Sequence, residues 1–184
     1  MPTFVAPHSD NMVPHSKNQH NYDAKESIMS EMTALDLFQK LYGVGGTTTE
    51  RGKRFERFTK QWLVTDPTQS KRFKEVVPWD QWEGRTGQDV GIDLIGLEHG
   101  GGVCAIQCKF YDPTTPLHKA DIDSFLSASG KHPFTSRLVV STSDLWGGNA
   151  KLMLTDQQIP VTVLGLADML KGGVDWASFS AETP

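Results

Sequence analysis

Three polar residues sit in an otherwise apolar stretch of this chain: Asp93, Gln107 and Lys109. They lie in two runs, Gly91-Ile92-Asp93-Leu94-Ile95-Gly96-Leu97 and Val103-Cys104-Ala105-Ile106-Gln107-Cys108-Lys109, joined by Glu98-His99-Gly100-Gly101-Gly102. Two apolar runs around a glycine turn are expected to pair as an antiparallel hairpin. With the turn centred on Gly100, Asp93 falls directly opposite Gln107, about 5 Å away, and Lys109 shares that face about 7 Å off along the diagonal. An acid, an amide and a lysine at the end of buried strands each need a partner or a ligand, because desolvating a lone charge is costly. The set suits a hard cation beside a positive group that handles a proton or a phosphate. The plainer alternative is a buried Asp93–Lys109 ion pair with Gln107 as a hydrogen-bonding neighbour.

The hairpin needs cover on both sides. Ile92, Leu94, Cys104, Ile106 and Cys108 are the even positions, and Ile95, Leu97, Val103 and Ala105 the odd ones near the turn. Strands apolar on both faces belong in the middle of a sheet flanked by helices. Upstream, Thr47-x-x-Glu50 is a capping box for a helix running to about Leu63, with Phe55, Phe58 and Trp62 as its apolar stripe and Glu56 at the stripe's edge. A shorter helix before it is expected to start at a Thr33 cap and carry Leu37, Phe38 and Leu41 inward, ending at Gly43–Gly46. Phe73–Val77 reads as a strand stopped by Pro78, and Trp79 and Trp82 are expected to cover the sheet edge. A polar glycine loop, Gly84–Val90, then leads into the hairpin. Downstream, strands at Arg137–Thr142 and Pro160–Leu164 alternate with helices at Lys119–Ser129, Gly147–Gln158 and Leu166–Leu170. That alternation implies right-handed crossovers and parallel pairing. The expected fold class is α/β: a central mixed sheet, an antiparallel hairpin plus parallel strands, flanked by helices.

The chain has 184 residues, 38% hydrophobic and 22% charged, which fits one globular domain. No apolar stretch approaches the roughly 20 residues of a membrane helix, and no export signal opens the chain. Residues 1–30 read as a disordered lead or non-native leader, residues 31–176 as the domain, and 177–184 as a frayed tail. His8, His15 and His20 in the lead lack the rigid spacing of metal ligands. Cys104 and Cys108 are too far apart along one strand for a disulfide, so they are expected to be core thiols in the reducing cytoplasm. The net charge is −4, yet Arg51, Lys53, Arg54, Arg57 and Lys60, with Lys71, Arg72 and Lys74, make residues 50–75 locally basic. By itself such a segment reads as a solvated helix face, but it can also meet phosphates.

The ordered set of motifs resembles the PD-(D/E)xK nuclease superfamily and, within it, the Mrr-like branch. Gly91-Ile92-Asp93-Leu94-Ile95 is similar to the strand that carries the family's Asp, Gln107-Cys108-Lys109 to its Q-x-K, and Gly52-Lys53-Arg54-Phe55-Glu56 to its Gly-x-x-Phe-Glu helix. Leu138-Val139-Val140-Ser141-Thr142 resembles the strand after the crossover helix. Phe55 to Leu170 resembles most of all the N-terminal nuclease domain of helicase-like, single-polypeptide type ISP restriction enzymes, through Asp89–Asp93, Ala105–Tyr111 and Lys119–Phe125. Two departures stand out: Gln107 replaces the usual second acid, and Ile92 the usual proline. Asp89, a candidate supplementary acid, is assigned to the loop.

The resemblance implies a restriction-endonuclease-like core and a Mg2+-dependent DNA endonuclease, with Mn2+ as a substitute cation. It implies Asp93, Gln107 and Lys109 as the catalytic set. The metal would be held by Asp93, Glu56 and the backbone carbonyl of Cys108. Arg51, Lys53, Arg54, Arg57 and Lys60 would hold the DNA backbone. Double-stranded DNA, a helicase-like motor, a methyltransferase, a target-recognition domain and a second nuclease copy are the implied partners. A stand-alone Mrr-like or junction-resolving nuclease and a noncatalytic DNA-binding module of the same fold are the rivals.

Overall fold

The computed structural model describes residues 36–43, 45–85, 91–174 and 176. The lead, the Thr33 cap, Asp89 and the tail lie outside them. Helix α1 occupies 36–43 and α2 Thr48–Thr65. The start of α2 is set by the expected capping box: Glu50 N–H donates to Thr47 Oγ1 at 3.2 Å and Thr47 N–H to Glu50 Oε2 at 2.6 Å. Strands β1 (Phe73–Pro78), β2 (Leu94–Glu98) and β3 (Val103–Lys109) follow. Then come α3 (Asp123–Ser129), β4 (Ser136–Ser141), α4 (Gly148–Leu154), β5 (Val161–Leu164) and α5 (Leu166–Lys171).

The five strands form one sheet in the order β1-β2-β3-β4-β5. The first three pair antiparallel, and β3, β4 and β5 run parallel. This is the expected mixed sheet, with β3 at its centre because both neighbouring pairings run through it. One face packs Leu94, Cys104, Ile106, Leu138 and Val140 against Phe55, Phe58 and Trp62 of α2. The other packs Ile92, Ile95, Ala105 and Val139 against Phe125 and Leu126 of α3. Burying each of the leucine, isoleucine, valine and phenylalanine side chains among them stabilises the fold by about 1.5–3 kcal/mol. Gly96 is required where β1 crosses β2: a Cβ there would stand 2.4 Å from the Phe73 ring.

Two helices are shorter than expected. The segment Lys119–Ser129 is divided into a 3-10 turn, Lys119–Asp121, and α3. Asp121 Oδ2 accepts from His118 N–H at 2.6 Å and holds the tight turn apart from the helix. Helix α4 stops at Leu154 rather than Gln158: Asp156 takes a positive φ of 53°, and Pro160 must enter β5 extended. The tryptophans lie where expected, on the α3 side of the sheet edge, with ring centroids 5.7 Å apart and Trp82 a further 5.9 Å from Phe134.

Candidate active site

The hairpin keeps the expected register, with Leu94 paired to Ile106 and Leu97 to Val103. It steps out of register at the residue that matters. Asp93 N–H donates to Ile106 O at 3.0 Å, although it is Leu94 that pairs with Ile106. Ile92 packs with Ile95 on the α3 face, whereas Leu94 between them packs on the α2 face. One residue has been absorbed at Asp93, a β-bulge at the strand's start. Asp93 is therefore not directly opposite Gln107, which corrects the simple pairing. Its carboxylate turns instead to Cys108, whose N–H donates to Oδ2 at 2.7 Å.

Glu56 and Lys53 on α2 and Lys109 on β3 all act on the Asp93 charge. Burial pushes the Asp93 carboxyl up to about 6; Glu56 adds to the rise, and the Cys108 N–H, Lys109 and Lys53 oppose it. Burial thus outweighs the groups that favour the ionised carboxylate. Among the described residues Asp93 and Lys109 form no ion pair, so the plain buried pair is not what holds them.

Gln107 is buried and follows the alternation of Ala105 rather than of Ile106. Its Nε2 donates to Gly91 O at 3.2 Å, and its Oε1 is buried without a hydrogen-bond partner among the described residues. Gly91 is needed there: φ is +84°, and a Cβ would stand 2.7 Å from Ser124 Oγ. Burial raises the Cys108 thiol well above its ordinary value, so the side chain stays a protonated core thiol. Both cysteines are free. The Cys108 N–H points across the ladder at β2, and its carbonyl shares that direction, toward the Asp93 end.

Helix α2 brings its basic residues to this end unequally. Lys53 Nζ meets Glu56 Oε2 at 2.8 Å. Lys53, Glu56, Arg57 and Lys60 line a cleft of about 210 Å³ against Pro78, Asp80 and Leu94. Arg51 is partly exposed on the same helix. Arg54 departs from the expected outward row: it is buried, and its Nη2 donates to Gly45 O at 3.1 Å. It ties the α1–α2 junction because it lies beside Phe55 on the inward side of the helix. Sequence reasoning missed Asp80 as a member of the cleft. Its signal was the short turn after Pro78, held in place where Trp79 N–H donates to Asp93 O at 2.9 Å.

Among the described residues, no three His, Cys, Asp or Glu side chains converge tightly enough to hold a metal ion by themselves. A buried carboxylate with a raised pKa and the Glu56 carboxylate that acts on it nevertheless fit a hard cation that keeps part of its water shell.

Residues 64–184 match the Mrr_cat_2 family, described as restriction endonuclease. In structure the chain is similar to LlaBIII, an ATP-dependent Type ISP restriction-modification enzyme bound to DNA, at 30% identity and a TM-score of 0.66 over 80% of this chain. It spans only 9% of the LlaBIII chain. It is also similar to the MspJI restriction endonuclease in complex with a 27-mer oligonucleotide, at 16% identity and a TM-score of 0.49, over 92% of this chain and 34% of that one. AspBHI, a DNA modification-dependent restriction endonuclease, matches at 16% identity and a TM-score of 0.47, over 90% of this chain and 39% of that one. No curated protein matches the chain.

Proposed function

Because the chain belongs to the restriction endonuclease family of the Mrr type, we propose that it is a Mg2+-dependent DNA endonuclease module that hydrolyses phosphodiester bonds at the Asp93 end of the hairpin. The observation that carries this reading is the Asp93 carboxyl itself, raised to about 6 by burial beside Glu56. A carboxylate that the protein leaves under-compensated is one that a bound cation would stabilise.

Asp93 is the principal ligand, joined by Glu56 and by the Cys108 carbonyl. Glu56 restores the negative charge that an amide at position 107 does not supply. A bound divalent cation would supply charge stabilisation at the phosphoryl oxygens and a lowered pKa for water. The chain's own groups do the rest. Gln107, whose Oε1 has no hydrogen-bond partner among the described residues, accepts a hydrogen bond from the attacking water and orients it. Lys109 places its ammonium against the negative charge that develops on the phosphoryl group. Its charge also lowers the Asp93 pKa, so it favours the ligating form of that carboxylate. Arg57, Lys60 and the partly exposed Arg51 hold the DNA backbone without reading sequence.

One such centre cuts one strand, so a double-strand break needs a second copy. LlaBIII is far longer than this chain. By that likeness the module works beside a helicase-like motor, a methyltransferase and a target-recognition domain in the cytoplasm. Among the described residues no helix is long and apolar enough to cross a membrane. The test is a supercoiled-plasmid assay with Mg2+ or Mn2+, comparing the wild type with Asp93→Ala. Nicking by the wild type and none by the variant is the expected result. Equal nicking by both would remove the assignment.

A further inference from the structure

Lys53 and Glu56 stand one helical turn apart on α2, with Nζ 2.8 Å from Oε2. The pair is lopsided. The Glu56 side chain keeps 15% exposure and that of Lys53 keeps 59%. The fold holds the carboxylate in place, while the ammonium rides on a flexible stem at the cleft mouth. That ammonium also feels Asp93 and Asp80, and Lys53, Glu56 and Asp80 line one cleft. A cation entering between Glu56 and Asp93 must compete with a positive charge already in contact with Glu56.

We propose that Lys53 is a stand-in counter-ion and positioning residue: it neutralises Glu56 in the metal-free protein, releases it when a divalent cation enters, and then pairs with a DNA phosphate. This rests on the reading of Asp93 and Glu56 as metal ligands. The physical reason is charge. A divalent cation on Glu56 repels an ammonium in contact with the same carboxylate. A phosphate at the cleft offers the freed ammonium a new partner. Metal and DNA then assist each other through one side chain, and by linkage the assistance is reciprocal.

The experiment is calorimetric titration of MnCl2 into the wild type, Lys53→Gln, Lys53→Arg and Asp93→Asn. It is paired with the affinity of each protein for a short random-sequence duplex with and without Ca2+. Lys53→Gln should bind Mn2+ about two- to fivefold tighter, the factor expected for deleting a partly exposed competing ion pair. Lys53→Arg keeps the pair and should stay near the wild type. The gain in duplex affinity on adding Ca2+ should shrink in Lys53→Gln by a similar factor. Unchanged or weaker Mn2+ binding by Lys53→Gln overturns the role of Lys53, and the metal site stands if Asp93→Asn still abolishes binding. Mn2+ binding that survives Asp93→Asn overturns the metal-site reading and the role of Lys53 with it.

Discussion

The Cys108 N–H donates to Asp93 Oδ2 at 2.7 Å. This bond exists because the chain takes one extra residue at the start of β2, which swings Asp93 out of the ladder and against the backbone of β3. A strand that kept strict alternation would have aimed Asp93 at Gln107. The bulge brings it instead within electrostatic reach of Glu56 and Lys53 on α2.

Asp93→Asn should stabilise the metal-free protein at neutral pH. The folded-state pKa is raised from 3.8 to about 6, so the carboxyl's favourable contribution is complete below pH 4 and is lost as pH rises through about 6. The amide removes a charge that folding must desolvate while keeping an acceptor for Cys108 N–H. The gain should be about 2–3 kcal/mol at pH 8 and near zero at pH 4. Thermal melts of both proteins at the two pH values measure it. A variant equally destabilised at both would contradict a strained carboxylate. Stabilisation of the wild type by Mg2+ should grow over the same rise in pH, since the cation takes the ionised form.

Lys109→Met should cut the nicking rate by about 10²–10³-fold and leave the melting midpoint nearly unchanged, because Lys109 is only partly buried and forms no ion pair with Asp93. Single-turnover rates at saturating Mg2+ report on this. A loss of stability matching the loss of rate would make Lys109 a structural residue.

The basic residues of α2 should separate into two groups. Arg57→Ala and Lys60→Ala, at the cleft, should each weaken duplex binding and flatten the salt dependence by about one phosphate contact. Arg54→Ala should instead lower stability by about 1–3 kcal/mol, since it removes a buried side chain and the charged hydrogen bond it makes to Gly45 O. Binding isotherms at several salt concentrations, beside urea melts, distinguish the groups. The grouping fails if Arg54→Ala alters the salt slope as strongly as Arg57→Ala.

Gly91→Ala should harm activity as well as stability. The position has φ of +84°, and a Cβ would meet Ser124 Oγ. The strained backbone costs about 1–2 kcal/mol, and relief of the clash must shift the carbonyl that receives Gln107 Nε2. Gln107→Leu, which leaves Gly91 in place, should reduce the rate without that loss of stability. A Gly91→Ala protein with wild-type rate would show that Gln107 needs no such anchor.

Much of this molecule was legible before folding. The glycine turn set the hairpin register that pairs Leu94 with Ile106. The Thr47–Glu50 box located α2, whose Phe55, Phe58 and Trp62 face the sheet as their spacing requires. These are local relationships, governed by short-range hydrogen bonds and by the periodicity of apolar residues. The boundaries of α3 and α4 were less legible, because Asp121 and Asp156 end or divide those helices through particular side-chain and backbone geometry.

The sequence by itself determined which residue types are available and in what order: an acid on a helix, an acid at a strand start, and Gln-x-Lys on the next strand. Only the tertiary structure decided where their side chains went. It placed the bulge at Asp93, turned Arg54 inward, brought Asp80 to the cleft and set Lys53 against Glu56. Each of those outcomes depends on packing between elements distant along the chain. Hydrophobic periodicity reports which face of an element is buried; it does not encode the extra residue, or the competing partner, that redirects a single polar group on that face.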